Sequence, residues 1–286
     1  MIVSVEGLAF RYPGADANVL EDLEFEIREG EVFGFLGPNG SGKSTTQKIL
    51  TRILSGFGGR VRVFGEDLEA QGASYHDRVG VCFEFPNLYE KLSALENLSF
   101  YRGFFDGETH DPAALLERLG LPAGDRRQVG HYSKGMKMRV VLARSLVNHP
   151  KLWFLDEPTT GQDPEHAVRI RKLIREQADA GTTVFLTTHD MTVADELCDR
   201  VAFLADGRIA ALETPRELKL AHTNREVRVE LRRGDALETQ DFALDAAASK
   251  EAFIRCIENE PIETIHTREP SLEDVFLAVT GKGLLG

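Results

Sequence analysis

The segment at positions 37–45 reads GPNGSGKST, a G-x-x-x-x-G-K-[ST] pattern whose chemistry is anion capture. Glycines let the backbone curl so that several N–H groups point inward, and a helix beginning there adds about half a positive charge at its first turn. Lys43 is then placed to reach the terminal phosphates of a nucleotide, and Ser44 to offer its hydroxyl to Mg²⁺. A second segment, LWFLDE at 152–157, ends an apolar run in two acids. Asp156 is suited to hold Mg²⁺, directly or through water, and Glu157 to orient and deprotonate an attacking water. Such a pair often simply opens a loop; beside a phosphate loop it reads as the hydrolytic half of the same site. His189 closes a third apolar run, TVFLTTHD at 183–190. That places it at the C-terminal end of a strand, where open α/β sheets bind ligands.

The stretch HYSKGMKMRVVLARSL at 131–146 raises a different question, because it is locally basic in an acidic chain. Met136, Val140, Ala143 and Val147 share a helical face, and Ser133 and Gly135 stand at the helix start, where free N–H groups favour phosphate. The same pattern also fits an ordinary capped helix whose lysines face solvent.

These residues need a scaffold that brings them together. EVFGFLG (31–37) is nearly all apolar, as a strand covered on both faces must be, and it leads into STTQKILTRIL, where Ile49, Leu50, Ile53 and Leu54 mark one helical face. LEFEI (23–27) alternates with the period of a half-exposed antiparallel strand. From about 88 to 150 the pattern is helical, and DPAALLERLG carries Asp111 as N-cap, Pro112 at the first helical position and Gly120 past the end. Buried strands alternating with helices predict a mostly parallel sheet. VAFLADGRIAAL reads as a hairpin turning on Asp206 and Gly207. The composition shifts near 217–226, so the expectation is a first domain over 1–220, with a helical subdomain at about 88–150, and a small α+β domain over 221–286. In the latter, SLEDVFLAVTG predicts a helix stopped by Gly281.

Composition narrows the function classes. The 286 residues carry a net charge of −12, which disfavours nucleic acid as the principal partner. Cys82, Cys198 and Cys256 have no metal spacing and no disulfide pattern, and read as small buried apolar residues. The opening MIVSVEGLAFRYPG lacks the basic region and apolar core of a signal peptide. No apolar run approaches the ~20 residues of a membrane span, so any spans must come from another chain.

The segments GPNGSGKST, YSKGMKMR, LWFLDEPTTGQDP and TTHD, in that order, resemble the nucleotide-binding subunit of an ATP-binding cassette (ABC) transporter over about residues 1–220. The resemblance implies a phosphate-loop ABC-ATPase fold, in which a mostly parallel sheet carries an antiparallel β-subdomain and a helical subdomain. It implies Tyr12 stacked on adenine, and a phosphate cradle of Asn39, Gly40, Ser41, Gly42, Lys43, Ser44 and Thr45. Asp156 would be the magnesium aspartate, Glu157 the catalytic carboxylate and His189 the γ-phosphate switch. Ser133 and Gly135 would bind ATP held by a facing cassette, identical or not, with Asp163 crossing the same interface. ATP and Mg²⁺ are the implied cofactors, and a separate membrane permease the implied partner, holding the chain on the cytoplasmic face of the membrane. Four positions depart from the family pattern: Glu84 stands where a glutamine is usual, near Mg²⁺, Gln162 where a leucine is common, and Lys134 and Met136 replace the more usual glycine and glutamine of the signature. The glutamate loop, YSKGM and PSLEDVFLAVTGKG are similar to the drug- and antibiotic-exporter group, the type-2 exporters. The alternative, a soluble ABC ATPase of translation or DNA maintenance, fits less well, because the chain has one cassette and no long coiled coil.

Overall fold

The structure is a computed structural model that describes residues 1–222, 226–234, 236–244, 246–267, 269–281 and 283. The chain forms two compact units, one spanning Met1–Thr214 and the other Pro215–Gly281. Helix Pro215–Ala221 therefore belongs with the second unit, and residues 223–225, inside the compositional shift, lie outside the described set.

The first unit opens with strands β1 (Val3–Phe10), β2 (Leu20–Ile27) and β3 (Val32–Leu36), followed by helix α1 (Lys43–Leu50). Strands β4 (Gly58–Val63), β5 (Glu66–Asp67) and β6 (Val79–Cys82) come next, then helices α2 (Ala94–Arg102), α3 (Pro112–Arg118) and α4 (Lys134–Arg144). The unit closes with β7 (Leu152–Asp156), α5 (Pro164–Asp179), β8 (Thr183–Thr188), α6 (Met191–Leu197), β9 (Arg200–Ala205) and β10 (Arg208–Glu213).

Two sheets form its core. One is four-stranded in the order β2-β1-β4-β5, with antiparallel pairing throughout. The other is six-stranded in the order β10-β9-β3-β8-β7-β6, parallel except for the β9–β10 hairpin. Burial follows the sequence pattern: every residue of β3, β7 and β8 is buried, whereas β2 alternates. The sheets meet through aromatic side chains, with Phe25 on β2 stacked 5.7 Å from Phe33 and Phe35 on β3 5.4 Å from Phe185. Asp206 and Gly207 both take positive φ, 49° and 72°, as a two-residue hairpin turn with the strands' own twist requires.

One helical expectation is corrected. α1 ends at Leu50, Arg52 turns to a φ of 60°, and Ile53 is exposed. The face drawn through Ile53 and Leu54 thus breaks after Leu50. The helical stretch at 88–150 resolves into α2, α3 and α4. Asp111 accepts the Ala113 and Ala114 N–H groups, and Pro112 opens α3. α4 is buried without interruption from Met138 to Ala143, so it is a central helix rather than a surface one with a single apolar face. The buried Arg139 on it donates to the Leu119 and Gly120 carbonyls at 2.9 and 3.3 Å, closing the end of α3. All three cysteines are buried, and Cys82 has its thiol pushed up to about 12 by burial.

The second unit holds α7 (Pro215–Ala221), β11 (Glu226–Arg233), β12 (Ala236–Ala243), α8 (Ala247–Asn259), β13 (Ile262–Thr267) and α9 (Leu272–Thr280). Its three-stranded antiparallel sheet runs β12-β11-β13. Val227, Val229, Leu231, Phe242 and Cys256 form a small core of their own. The alternate residues of β11 make cross-strand ion pairs, Arg228 with Asp241 and Arg232 with Glu263, each at 2.7 Å. α9 starts on a capping box between Ser271 and Asp274 and stops at Gly281, φ 66°.

Candidate functional site

The site follows from strand order. β3, β8, β7 and β6 lie side by side and parallel, so the loops leaving their C-terminal ends emerge on one edge. Those four loops carry Lys43, His189, the Asp156–Glu157 pair and Glu84. Residues spread over roughly half the chain thereby face one cleft, at the edge where parallel sheets bind ligands.

The loop after β3 wraps tightly. A Cβ on Gly37 would stand 2.2 Å from the Leu204 carbonyl oxygen, and Gly42 has a φ of 111°, so neither position accepts a side chain. Lys43 Nζ donates to the Gly37 and Pro38 carbonyls at 2.6 and 3.0 Å. Burial lowers its pKa, and the negative charges of Glu157, Asp156 and Glu84 work in the opposite direction. Ser41 Oγ is buried with no hydrogen-bond partner among the described residues. The cradle thus holds a cation and an unsatisfied hydroxyl, and both fit a polyanion. The Tyr12 hydroxyl lies 3.2 Å from Thr45 Oγ1, and its ring packs edge-on to Phe10.

Asp156 terminates β7 and accepts a very short hydrogen bond from the Thr187 hydroxyl of β8. Burial raises its pKa, an effect offset by Thr187, Lys43 and the Ser44 hydroxyl and reinforced by Glu157. The Asp156 carboxylate beside the Ser44 hydroxyl is a pair of hard oxygen donors suited to Mg²⁺.

Glu157 is the most constrained side chain in the cleft. Its φ is 50°, left-handed for a residue with a Cβ, which is a sparsely populated conformation found at functional turns. Oε1 accepts the His189 backbone N–H at 3.0 Å and lies 2.7 Å from His189 Nδ1. Oε2 accepts the Thr160 and Thr188 hydroxyls at 3.0 and 3.2 Å. Both oxygens are therefore aimed by the protein, while the His189 side chain is 47% exposed.

Ser133, Gly135 and Asp163 form a second group. Ser133 is exposed, and its Oγ caps α4 by accepting the Met136 N–H at 3.2 Å. Behind it, Asp125 accepts hydrogen bonds from Arg127 and from the Tyr132 hydroxyl, bracing the turn. Asp163 caps α5 and pairs with His166 Nδ1 at 2.6 Å, and these contacts hold its carboxyl below the usual range. Four functional contacts were missed at the sequence level: those of Thr160, Thr187, Thr188 and Gln162. Two adjacent threonines closing an apolar strand in TTHD were the available signal.

Positions 20–160 match the ABC transporter family model, and positions 225–269 match the fluoroquinolone efflux ABC transporter C-terminal domain. The fluoroquinolones export ATP-binding protein of Mycobacterium tuberculosis is 50% identical over 284 residues, covering 99% of this chain and 94% of the relative. The chain belongs to the ABC transporter ATP-binding proteins. The Nod factor export ATP-binding protein I of Burkholderia pseudomallei is 36% identical, with 94% of each chain covered. A dimeric ATP-binding cassette solved in a post-hydrolysis state with ADP and Pi superimposes with a TM-score of 0.68 at 26% identity, covering 74% of this chain and 98% of that one. The ABC protein described here is a nucleotide-binding ATPase built on the cassette fold. The alternative of translation or DNA maintenance gives way, since these relatives are export proteins. Among the described residues, no helix is long and apolar enough to cross a membrane.

Proposed function

We propose that this chain is the ATP-hydrolysing subunit of a two-component exporter. It pairs with a second cassette, the same or different, and drives a separate membrane permease that holds it at the cytoplasmic face. The convergence of Lys43, Asp156, Glu157 and His189 on one sheet edge is the observation that carries this reading. The relative at 50% identity and the match of the small C-terminal unit favour an amphiphilic drug of the fluoroquinolone kind as cargo.

The placement of each residue supports the role proposed for it. The backbone of residues 39–45 cradles the phosphates, Lys43 exchanges the Gly37 and Pro38 carbonyls for phosphate oxygens, and Tyr12 stacks on the base. Ser44 and Asp156 would hold Mg²⁺, with Glu84 beside them; the ion supplies charge neutralisation along the phosphates. Glu157, oriented by four hydrogen bonds, takes the proton of the attacking water, and His189 senses the γ-phosphate. Ser133 and Gly135 present the first turn of α4 to the nucleotide of the facing cassette, beside Asp163. Tyr89 on the loop that carries Glu84, Phe100 on α2 and Phe104 just after α2 line a cleft of about 420 Å³. With Phe85, on the same loop, 73% exposed, this aromatic surface suits the permease.

Two experiments test the reading. Tagged protein, taken from its own detergent-solubilised membranes, should bring down a hydrophobic multi-span chain; recovery of ribosomes or DNA instead would overturn it. Glu157→Gln should bind ATP normally, turn over roughly 10²-fold more slowly and accumulate as an ATP-bound dimer. Normal turnover in that variant would remove Glu157 from its role.

A further inference from the structure

The parallel sheet has a second edge, opposite the cleft of Lys43. Arg78 and Lys151 stand just before β6 and β7, and Thr183 opens β8; the far ends of these strands lead to Glu84, Asp156 and His189. At this second edge they line a cavity of about 540 Å³ together with Glu29, Ile2 and Phe64. Ile2 and Phe64 flank β1 and β4, so the walls come from both sheets of the first unit. Backbone bonds fasten them. The Phe64 N–H donates to the Ile2 carbonyl at 2.8 Å, that of Lys151 to the Arg78 carbonyl at 2.8 Å, and that of Thr183 to the Lys151 carbonyl at 3.0 Å. The Thr183 hydroxyl is taken up as well, accepting the Gly30 N–H at 2.9 Å. The cavity is therefore preformed, and its free binding capacity lies in side chains.

Two of those side chains are cations without a counter-ion. The Arg78 guanidinium lies 4.2 Å from the centre of the Phe64 ring, and Nη2 donates to Gln71 Oε1 at 2.7 Å. Gln71 is itself buried and tied to the Val63 carbonyl at 2.6 Å. The guanidinium is thus held in one plane by a ring and a neutral amide, while its Nε finds no partner. Neither Arg78 nor Lys151 forms an ion pair among the described residues. Glu29 brings one negative charge to the same cavity, leaving these three side chains with a net charge of about +1. Ile2 and Phe64 add an apolar wall, Ile2 being buried and Phe64 packed against the core. A preset guanidinium, an ammonium and an apolar wall are complementary to a small anion that carries an apolar body.

We infer that this cavity is a second ligand site, which takes a small amphiphilic organic anion, a carboxylate or a phosphate ester. Its headgroup meets Arg78 and Lys151, and its apolar part lies along Phe64 and Ile2. Glu29 opposes the headgroup and keeps the site selective for low charge. Because the site lies at the other edge of the sheet, it fills independently of the cleft of Lys43.

The test is calorimetric titration of the full chain with saturating Mg·ADP present. The probes are 2-naphthoate, 1-naphthyl phosphate and the uncharged 2-naphthamide. At least one naphthyl anion should bind once per chain with a Kd below about 1 mM, and 2-naphthamide about tenfold more weakly or worse. The tighter of the two anions identifies the headgroup. Arg78→Gln should weaken that anion about tenfold. Lys151→Gln, at an exposed position, should weaken it about 3- to 10-fold with an unchanged thermal midpoint, which separates lost binding from misfolding. Glu29→Gln should tighten it about two- to threefold. Lys43→Ala should leave it unaltered. Binding of neither anion, equal binding of 2-naphthamide, or an affinity indifferent to both Lys151→Gln and Glu29→Gln would overturn the assignment. Loss of the anion in Lys43→Ala would overturn it too, by placing the probe in the other cleft.

Discussion

Glu157 and His189, 32 residues apart, meet twice at one oxygen: Oε1 lies 2.7 Å from Nδ1 of the imidazole and accepts the His189 backbone N–H at 3.0 Å. The backbone bond needs no particular side chain, so the imidazole can leave without stranding the carboxylate. That division gives His189 freedom to change partner while Glu157 stays aimed.

His189→Ala therefore separates orientation from sensing. The backbone bond and both threonine hydroxyls remain on Glu157, so ATP affinity should be unchanged, while turnover should fall about 10²-fold or more. Equilibrium nucleotide binding and single-turnover phosphate release check the two halves; a variant with near-normal release would place His189 outside the chemistry.

Glu84 is one of three carboxylates whose charge acts on Lys43. Glu84→Gln removes one of the negative charges acting on Lys43 and adds an N–H donor. Turnover should rise about twofold or more with nucleotide affinity retained. A tenfold loss of affinity would instead assign Glu84 a binding role.

Gly37→Ala tests the closeness of the cradle to the hairpin. The added methyl would meet the Leu204 carbonyl, a backbone atom with nowhere to retreat. Stability should fall by about 2–3 kcal/mol, with nucleotide binding lost, as urea unfolding and a binding titration would show.

His110 supplies a pH dependence remote from the cleft. Its ring lies 3.5 Å from that of His149, and its pKa is lowered by burial first, then by His149 and Arg118. The unfolded chain then binds more protons than the folded one at pH values below the ordinary histidine range. The contribution is complete above about pH 6.5 and declines as the pH falls toward the lowered folded value. His110→Gln should flatten that acid-side fall in thermal midpoint; an unchanged slope would rule out His110 as its source.

The site was legible to different depths in the sequence. GPNGSGKST stated its own chemistry, because a run of glycines before a lysine serves few purposes other than holding an anion. LWFLDE and TVFLTTHD announced covered strands through unbroken apolar character, and their polar ends marked the sheet edge. The face drawn through Ile53 and Leu54 failed because periodicity does not register a backbone reversal such as that at Arg52. Strand β12 went unread, since ALETQDFA is largely exposed and lacks an apolar rhythm.

The sequence by itself determined which residues could bind phosphate, hold a cation and activate water, and which segments had to be buried to carry them. These properties reside in composition and short-range period, both local to the chain. The tertiary structure alone decided that β3, β8, β7 and β6 are neighbours, so that Lys43, His189, Asp156 and Glu84 share an edge. It also decided that Thr187 serves Asp156, that Thr160 and Thr188 serve Glu157, and that Gln162 reaches back to Gly135. The physical reason is that a hydrogen bond of this kind depends on strand order and on the φ of a single turn residue, and pairings between distant segments leave no period in the chain to read.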